Sequence, residues 1–317
     1  MSDQAEPRLE PAVVFVVFNR PDCTVRSLAA IRAARPRRLY VVADGPRADR
    51  AGEAALCAEV RALVEQGVDW PCEVIRDYAP GNLGCARRVV SGLDAVFARE
   101  AEAIILEDDC VPDATFFPYC AELLARYRQA DGICHIGGGN FQASPAPDSY
   151  YFSRYNHVWG WAAWKRSWAH FDWEMKDWPA VRETAWLREL FDEPGAAQYW
   201  RDAFDSVHAG RVDSWAYRWT YAMWRHGGLA VLPGVNLVTN IGFGLDATHM
   251  RPVERRLCRP AVQIGFPLRH PARVERDRRA DHHTECTLYS GGFFRRLRRS
   301  ARRLLRRLKA QRDHPTQ

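Results

Sequence analysis

An apolar run that ends in three consecutive carboxylates, Ala103-Ile104-Ile105-Leu106-Glu107-Asp108-Asp109, constrains this chain more than any other feature. Burying Ile104 to Leu106 in a sheet puts the acids at the carboxyl end of a strand, the edge where open α/β sheets keep their ligand crevice. Adjacent like charges repel, so such a cluster is costly unless it faces solvent or a cation. Carboxylate oxygens suit a hard divalent ion, Mn2+ or Mg2+, which usually brings a phosphate-bearing substrate with it. The plain alternative is a strand end followed by a solvated acidic turn.

The neighbouring segments decide what surrounds that strand. Residues 13–18 (Val-Val-Phe-Val-Val-Phe) are apolar throughout, as in a parallel strand buried on both faces. Asn19-Arg20-Pro21-Asp22 breaks the run, and Asp22 or Thr24 is expected to cap a helix reaching about Ala34. Leu39 to Ala43 reads as a second strand, ended by Asp44-Gly45-Pro46, and Glu53 to Glu65 as a helix. A short third strand over Glu73 to Arg76, a helix over Gly84 to Arg99 and a fourth strand at 103–107 complete an alternation of βαβ units. That alternation predicts an α/β fold with a mostly parallel, doubly wound sheet. Apolar positions from Phe116 to Tyr127 recur at helical spacing.

Composition changes after residue 150. Eleven of the twelve tryptophans lie at 159 or later, most densely in Trp159-Gly-Trp-Ala-Ala-Trp-Lys-Arg-Ser-Trp168. The expected organisation is a first half (1–150), an aromatic-rich half (151–250), a surface-hugging Arg/Pro-rich extension (251–290) and a basic tail (291–317). At 317 residues and 47% hydrophobic, the chain can bury a large core, and no apolar run is long enough to span a bilayer. Met1 to Pro11 lacks the layout of a signal peptide, so a cytoplasmic protein is expected. Nine scattered cysteines without a CxxC pair read as reduced thiols and show no zinc-ligand spacing. The tail carries ten of the basic residues and one acid, so the net +6 of the whole chain leaves the rest slightly acidic.

Four elements in order carry a family resemblance: a strand ending Asn19-Arg20, a second ending Asp44-Gly45, the turn Asn82-Leu83-Gly84 into a helix, and Glu107-Asp108-Asp109. Together they resemble the nucleotide-sugar half of GT-A glycosyltransferases. Ile105-Leu106-Glu107-Asp108-Asp109-Cys110-Val111-Pro112-Asp113 with Phe116-Phe117 is similar to the Glu-Asp-Asp form of the "DxD" motif in the N-acetylglucosaminyltransferase I-like enzymes, and to bacterial family-2-type transferases of surface polysaccharide synthesis. The resemblance covers residues 12–125 well and 150–250 loosely. It implies a metal-dependent, inverting transfer of sugar from a nucleotide sugar, most simply a UDP-sugar, to a glycan or lipid-linked acceptor.

By the same resemblance, Arg20 lies near the nucleotide's base or diphosphate, Asp44 accepts from the uracil ring, Asp108 faces ribose or metal, and Asp109, with Glu107, is a metal ligand. Asn82 and Arg87, at the start of their helix, are candidates for nucleotide or phosphate contact, as is Arg88. Each has a bland reading as a turn former or solvated charge. The transfer needs a base for the acceptor hydroxyl. Asp213, in Val212-Asp213-Ser214-Trp215, resembles the acid-Trp element that holds it, and equally Asp213 or Ser214 would serve as a helix N-cap. Asp172, Glu174 and Asp202 are weaker rivals. His249, in the loop Asn240-Ile-Gly-Phe-Gly-Leu-Asp246-Ala-Thr248-His249, is the candidate for a further metal contact, with His157 second. Trp159, Trp161 and Trp164 are candidates for an acceptor platform or plain core. Gly137-Gly138-Gly139-Asn140 is either a turn near the sugar or a strand end.

Residues 293–309 place Phe293, Phe294, Leu297, Ala301, Leu304, Leu305 and Leu308 at helical spacing with arginine between them. A basic amphipathic helix of this kind lies on anionic membrane surfaces, which predicts a peripheral enzyme on the inner face of the membrane and no nucleic-acid partner. The rival readings are a sugar nucleotidyltransferase, which should carry a glycine-rich loop after its first strand, and a non-enzymatic binder acting through the tail.

Overall fold

The computed structural model describes residues 9–144, 146–191, 193–242 and 258–289. In chain order these form β1 (Ala12–Val17), α1 (Pro21–Ala34), β2 (Arg38–Ala43), α2 (Glu53–Gly67), β3 (Glu73–Tyr78), α3 (Cys85–Arg99), β4 (Glu102–Glu107), β5 (Cys110–Pro112), α4 (Phe116–Arg126), β6 (Ile133–Gly137), β7 (Tyr150–Ser153) and β8 (Trp161–Trp164). There follow α5 (Lys165–Trp168), α6 (Trp178–Val181), α7 (Trp186–Glu189), α8 (Pro194–His208), α9 (Trp215–Arg225), β9 (Leu229–Pro233), β10 (Val238–Asn240) and α10 (Arg278–Thr284), which runs into a π-helical turn at Glu285–Tyr289. No helix among the described residues is long and apolar enough to cross a membrane. The chain divides into two compact units, one of residues 1–173 with 213–277 and the other of 174–212 with 278–317.

The first unit is built on an eight-stranded sheet in the order β3-β2-β1-β4-β8-β6-β9-β7. The strands from β3 to β4 are parallel, β8 runs against β4 and β6, β9 is parallel to β6, and β7 is antiparallel at the edge. This is the expected α/β architecture with a mostly parallel sheet. The all-apolar Ala12–Val17 strand occupies the sheet interior because neither of its faces tolerates water. Its flanking helices bury one stripe each: Leu28 and Ile31 on α1, and Val89, Leu93 and Val96 on α3. Register fixes where the strands end: Val16 lies opposite Glu107, so residues 18–20 run past Asp108 and Asp109.

Two local expectations are corrected. No side chain caps α1; instead the Thr24 hydroxyl donates back to the Arg20 carbonyl at 2.8 Å, and Pro21 supplies a helix-ready φ. Trp161 and Trp164 are core, at 1% and 2% exposure, rather than an acceptor platform; only Trp159 of those three keeps partial exposure. The indoles pack face to face with their neighbours, Trp161 against His135 at 5.1 Å and Trp215 at 5.6 Å between ring centres. Apart from the sheet, β5 and β10 form an antiparallel ribbon pairing Cys110 with Asn240. All nine cysteines are free.

The second unit, taken alone, is helical. Trp178 and Phe204 meet edge to face at 5.3 Å, Trp200 lies 4.8 Å from the Tyr289 ring centre, and the Arg182 guanidinium pairs with Asp205.

Candidate active site

The parallel strands end on one edge of the first unit, and the acid run lies there for the reason the sequence gives: Ile104 to Leu106 are fully buried, so the carboxylates must emerge together at the tip of β4. Their surroundings separate their roles. Asp108 is buried at 2% exposure. Its carboxylate accepts from the Phe18 backbone N–H at 3.3 Å and pairs with the Arg20 guanidinium, while its carbonyl accepts from the Ser27 hydroxyl at 2.8 Å. Asp108 therefore fastens the end of β1 and the face of α1 to β4. Arg20 also reaches Asp109, its second nitrogen 3.0 Å from Oδ2. One guanidinium thus serves two carboxylates.

A single cation does not balance three acids. Burial, then the charges of Asp109 and Asp108, push the Glu107 carboxyl up to about 8. Burial likewise raises Asp108 to about 6 against the pull of Arg20. A site that holds its carboxylates this reluctantly in their charged form is short of positive charge.

Asp109 is covered from the far side by the segment after β10. The Ile241 N–H donates to the Asp109 carbonyl at 2.8 Å, and Gly242 lies so close that a β-carbon there would overlap the Asp109 carboxylate. Only glycine permits that approach. The remainder of that loop, including Asp246, Thr248 and the metal candidate His249, lies outside the described residues.

Asp213 joins the acids. Ser214 takes the N-cap of α9, accepting from the Tyr217 N–H at 3.4 Å, which leaves the Asp213 carboxylate free of capping. Its Oδ2 lies 3.6 Å from where a β-carbon on Gly84 would stand. Cys85, next in the chain, marks the convergence: loss of water around the thiol and then the charges of Glu107, Asp213 and Asp109 raise it to about 12. Arg218, one turn into α9, donates to the Trp173 carbonyl at 2.7 Å and stacks on its ring at 4.1 Å; the Arg87 guanidinium lies over the same ring at 4.7 Å. Arg87 and Arg218 thus share the Trp173 ring.

Three sequence candidates prove to be scaffold. Asp44 accepts from the N–H groups of Gly45, Leu83 and Gly84 and from the Asn82 side-chain amide, at 2.9–3.1 Å, which fills the four acceptor positions of a carboxylate. It ties down the Asn82–Gly84 turn, where Gly84 has φ +82°, and in this structure has no lone pair left for a nucleobase. Asn82 spends its amide on Asp44 and the Gly45 carbonyl. Arg88 is buried and bonds the Ala43 and Asp77 carbonyls. The same turn, with Asp77, Tyr78, Pro80 and Ser91, lines a cavity of about 550 Å³, within the usual range for small-molecule sites.

His157 is not at the acids. It is buried edge-on against Phe141 at 4.5 Å, and its carbonyl accepts from His135. Asp172 belongs to the first unit, Glu174 and Asp202 to the second. The sequence singles out the loop that holds Gly242 by its two glycines, which allow backbone close to a ligand; Cys85, Ser27 and Arg218 carried no such signal.

No protein-family model and no curated protein matches the chain. A solved structure of the mannosyltransferase PcManGT from Pyrobaculum calidifontis, in complex with GDP-Man and Mn2+, is similar over 70% of this chain and 70% of that one, with 13% sequence identity and a TM-score of 0.39. A likeness of that size carries no argument about this chain's activity.

Proposed function

We propose that the chain is a metal-dependent glycosyltransferase of the GT-A type, moving a sugar from a nucleotide sugar, most simply a UDP-sugar, to the hydroxyl of a glycan or lipid-linked acceptor with inversion. The observation that carries this reading is the acid run at the carboxyl edge of the parallel strands, where Arg20 pairs with Asp108 and Asp109, Gly242 closes on the Asp109 carboxylate, and Asp213 Oδ2 lies 3.6 Å from the β-carbon position of Gly84.

The acid run fits a hard cation: carboxylate oxygens, an excess of negative charge, and carboxyls raised first by burial and then, for Glu107, by the charges of its neighbours. Mn2+ and Mg2+ usually take one or two carboxylates and complete their shell with water and substrate phosphate, so Asp109 with Glu107 is a sufficient protein contribution. Asp108 is committed to Arg20 and the Phe18 N–H and is assigned to positioning. When bound, the ion would neutralise charge on the departing diphosphate. His249 is proposed as a further ligand.

The chain's own groups account for the remaining chemistry. The acceptor oxygen forms a bond to the anomeric carbon as the bond to the diphosphate oxygen breaks, and the diphosphate leaves with the electron pair. Asp213, unburdened by capping, takes the hydroxyl proton. Arg20 and Arg87 are proposed to meet phosphate, and the cavity beside the Asn82–Gly84 turn is proposed to take the nucleoside, which its volume of about 550 Å³ supports. Asp44 acts by holding that turn. The loop after β1 leads directly into α1 through Pro21 with no glycine-rich segment, which favours a transferase over a nucleotidyltransferase. The basic tail at 293–309 is proposed to hold the enzyme on an anionic membrane surface.

Calorimetry of nucleotide sugars with and without Mn2+ tests the reading. Donor binding should require the ion and disappear in Asp109→Ala; unchanged binding in that variant removes the assignment. Asp213→Asn should lower turnover by a factor on the order of 10²–10⁴ with donor affinity nearly intact, and wild-type turnover would move the base to another acid.

A further inference from the structure

The second unit contains a side-chain cluster that the transfer reaction does not use. Glu193, the residue preceding α8, and His282 and Cys286, four apart on the C-terminal helical segment, bring one ligand atom each to within 4.8 Å of one another. Cys286 Sγ lies 3.6 Å from His282 Nε2, and the other ring nitrogen lies 3.9 Å from Glu193 Oε1. Tetrahedral zinc, with bonds of about 2.0–2.3 Å, sets its ligand atoms about 3.3–3.7 Å apart, so the Sγ–Nε2 separation has the length of a coordination edge, and the half-exposed Glu193 side chain, nearest Nδ1, would turn toward Nε2 to join the same ion. Histidine and cysteine at i and i+4 share one helix face. The segment turns π-helical at Glu285–Tyr289, the interval that contains Cys286, and such turns recur at functional sites.

We propose that Glu193, His282 and Cys286 form a zinc site, with water completing the shell, that clips the start of α8 to α10. Thiolate and imidazole with one carboxylate is a donor set for Zn2+, where the all-oxygen acid run of β4 suits Mn2+ or Mg2+. The architecture gives the clip a purpose. This unit is assembled from two short stretches separated by the return of the chain through the first unit. Among the described residues its buried apolar side chains are few, with Met175, Leu187, Ala196 and Val207 beside the aromatic group of Trp178, Trp200 and Phe204. A small core is where metal ligation most often supplements burial. Closing the long span between Glu193 and His282 removes more freedom from the unfolded chain than closing a short one would.

The full chain, freed of metal and titrated with Co2+ alone, provides the test. One equivalent should bind with a thiolate-to-cobalt charge-transfer absorption, and Zn2+ should abolish that absorption by displacement. Cys286→Ser and His282→Ala should lose the band, and Glu193→Gln should weaken Zn2+ binding by at least the roughly 10–100-fold that loss of an outer-shell partner costs. Asp109→Ala should keep the band, which separates this site from the proposed catalytic one. Absence of a thiolate band in the wild-type chain, or its survival in Cys286→Ser, overturns the proposal. Both cobalt-facing side chains are substantially exposed, so these substitutions leave the fold in place.

Discussion

Asp44 shows how a carboxylate at a strand end can be taken up by its own turn. A carboxylate at the end of the second strand is well sited for a base, yet its four acceptor positions are spent on Gly45, Asn82, Leu83 and Gly84. Asp44→Ala leaves several N–H groups of a half-buried turn without their partner, at a cost of about 1–3 kcal/mol for each donor that water does not reach. Chemical denaturation should therefore show a loss of about 2–4 kcal/mol. Unchanged stability would mean that the turn stands without Asp44 and that its carboxylate is available to ligand. Asp108 is the same case at β4: three neighbouring acids look alike in sequence, and burial sorts them, one turned in to Arg20 and Phe18 while Asp109 stays partly exposed.

At the scale of elements, β6 carries a buried histidine whose protonation state is set by its partners. The Trp219 indole N–H donates to His135 Nδ1 at 3.3 Å, and Nε2 faces the His157 carbonyl at 3.1 Å, so the ring must be neutral with its proton on Nε2. Burial lowers His135 to about 4, and burial with the nearby His135 lowers His157 to about 3. Both values fall below the ordinary 6.5, so the folded protein binds fewer protons than the unfolded chain. Stability from these rings is complete above about pH 6.5 and is lost as pH falls through about 4, on the order of 3 kcal/mol for His135 alone. Glu107 and Asp108, raised in the folded chain, act in the opposite sense over the same window, so the test is a difference: His135→Gln should lose less stability between pH 7 and pH 4 than the wild type, and equal pH slopes in the two proteins contradict the assignment.

For the whole molecule, the acid cluster and the two-unit division set the expected response to metal. A ligand that binds only the folded state stabilises it by about 2.7 kcal/mol at a hundredfold excess over its Kd. Mn2+ should raise the unfolding temperature of the wild-type chain and of Cys286→Ser alike, and should leave Asp109→Ala unmoved. A rise in Asp109→Ala equal to that of the wild type would place the Mn2+ site elsewhere. Lowering Glu107 and Asp108 toward their ordinary range would be the physical source of that stabilisation, since a cation bound as proposed would supply charge that Arg20 alone does not.

The alternation of apolar runs with helical stripes was legible along the chain because each is a local pattern: a strand such as Ala12–Val17, with no face that tolerates water, has few places to go but a sheet interior. The position of Glu107 to Asp109 at a strand tip followed from the same pattern. Strand boundaries were close, with β3 extending to Tyr78 because pairing with Ala43 carries it past Arg76. What only the tertiary structure decided are the meetings of residues far apart in sequence: Arg20 with Asp108, Gly242 with Asp109, Asp213 with Gly84 and Cys85, and Glu193 with His282 and Cys286. Hydrophobic period and turn chemistry act over a few residues, whereas these contacts are fixed by sheet register and by which helix crosses which strand end. No local spacing records either.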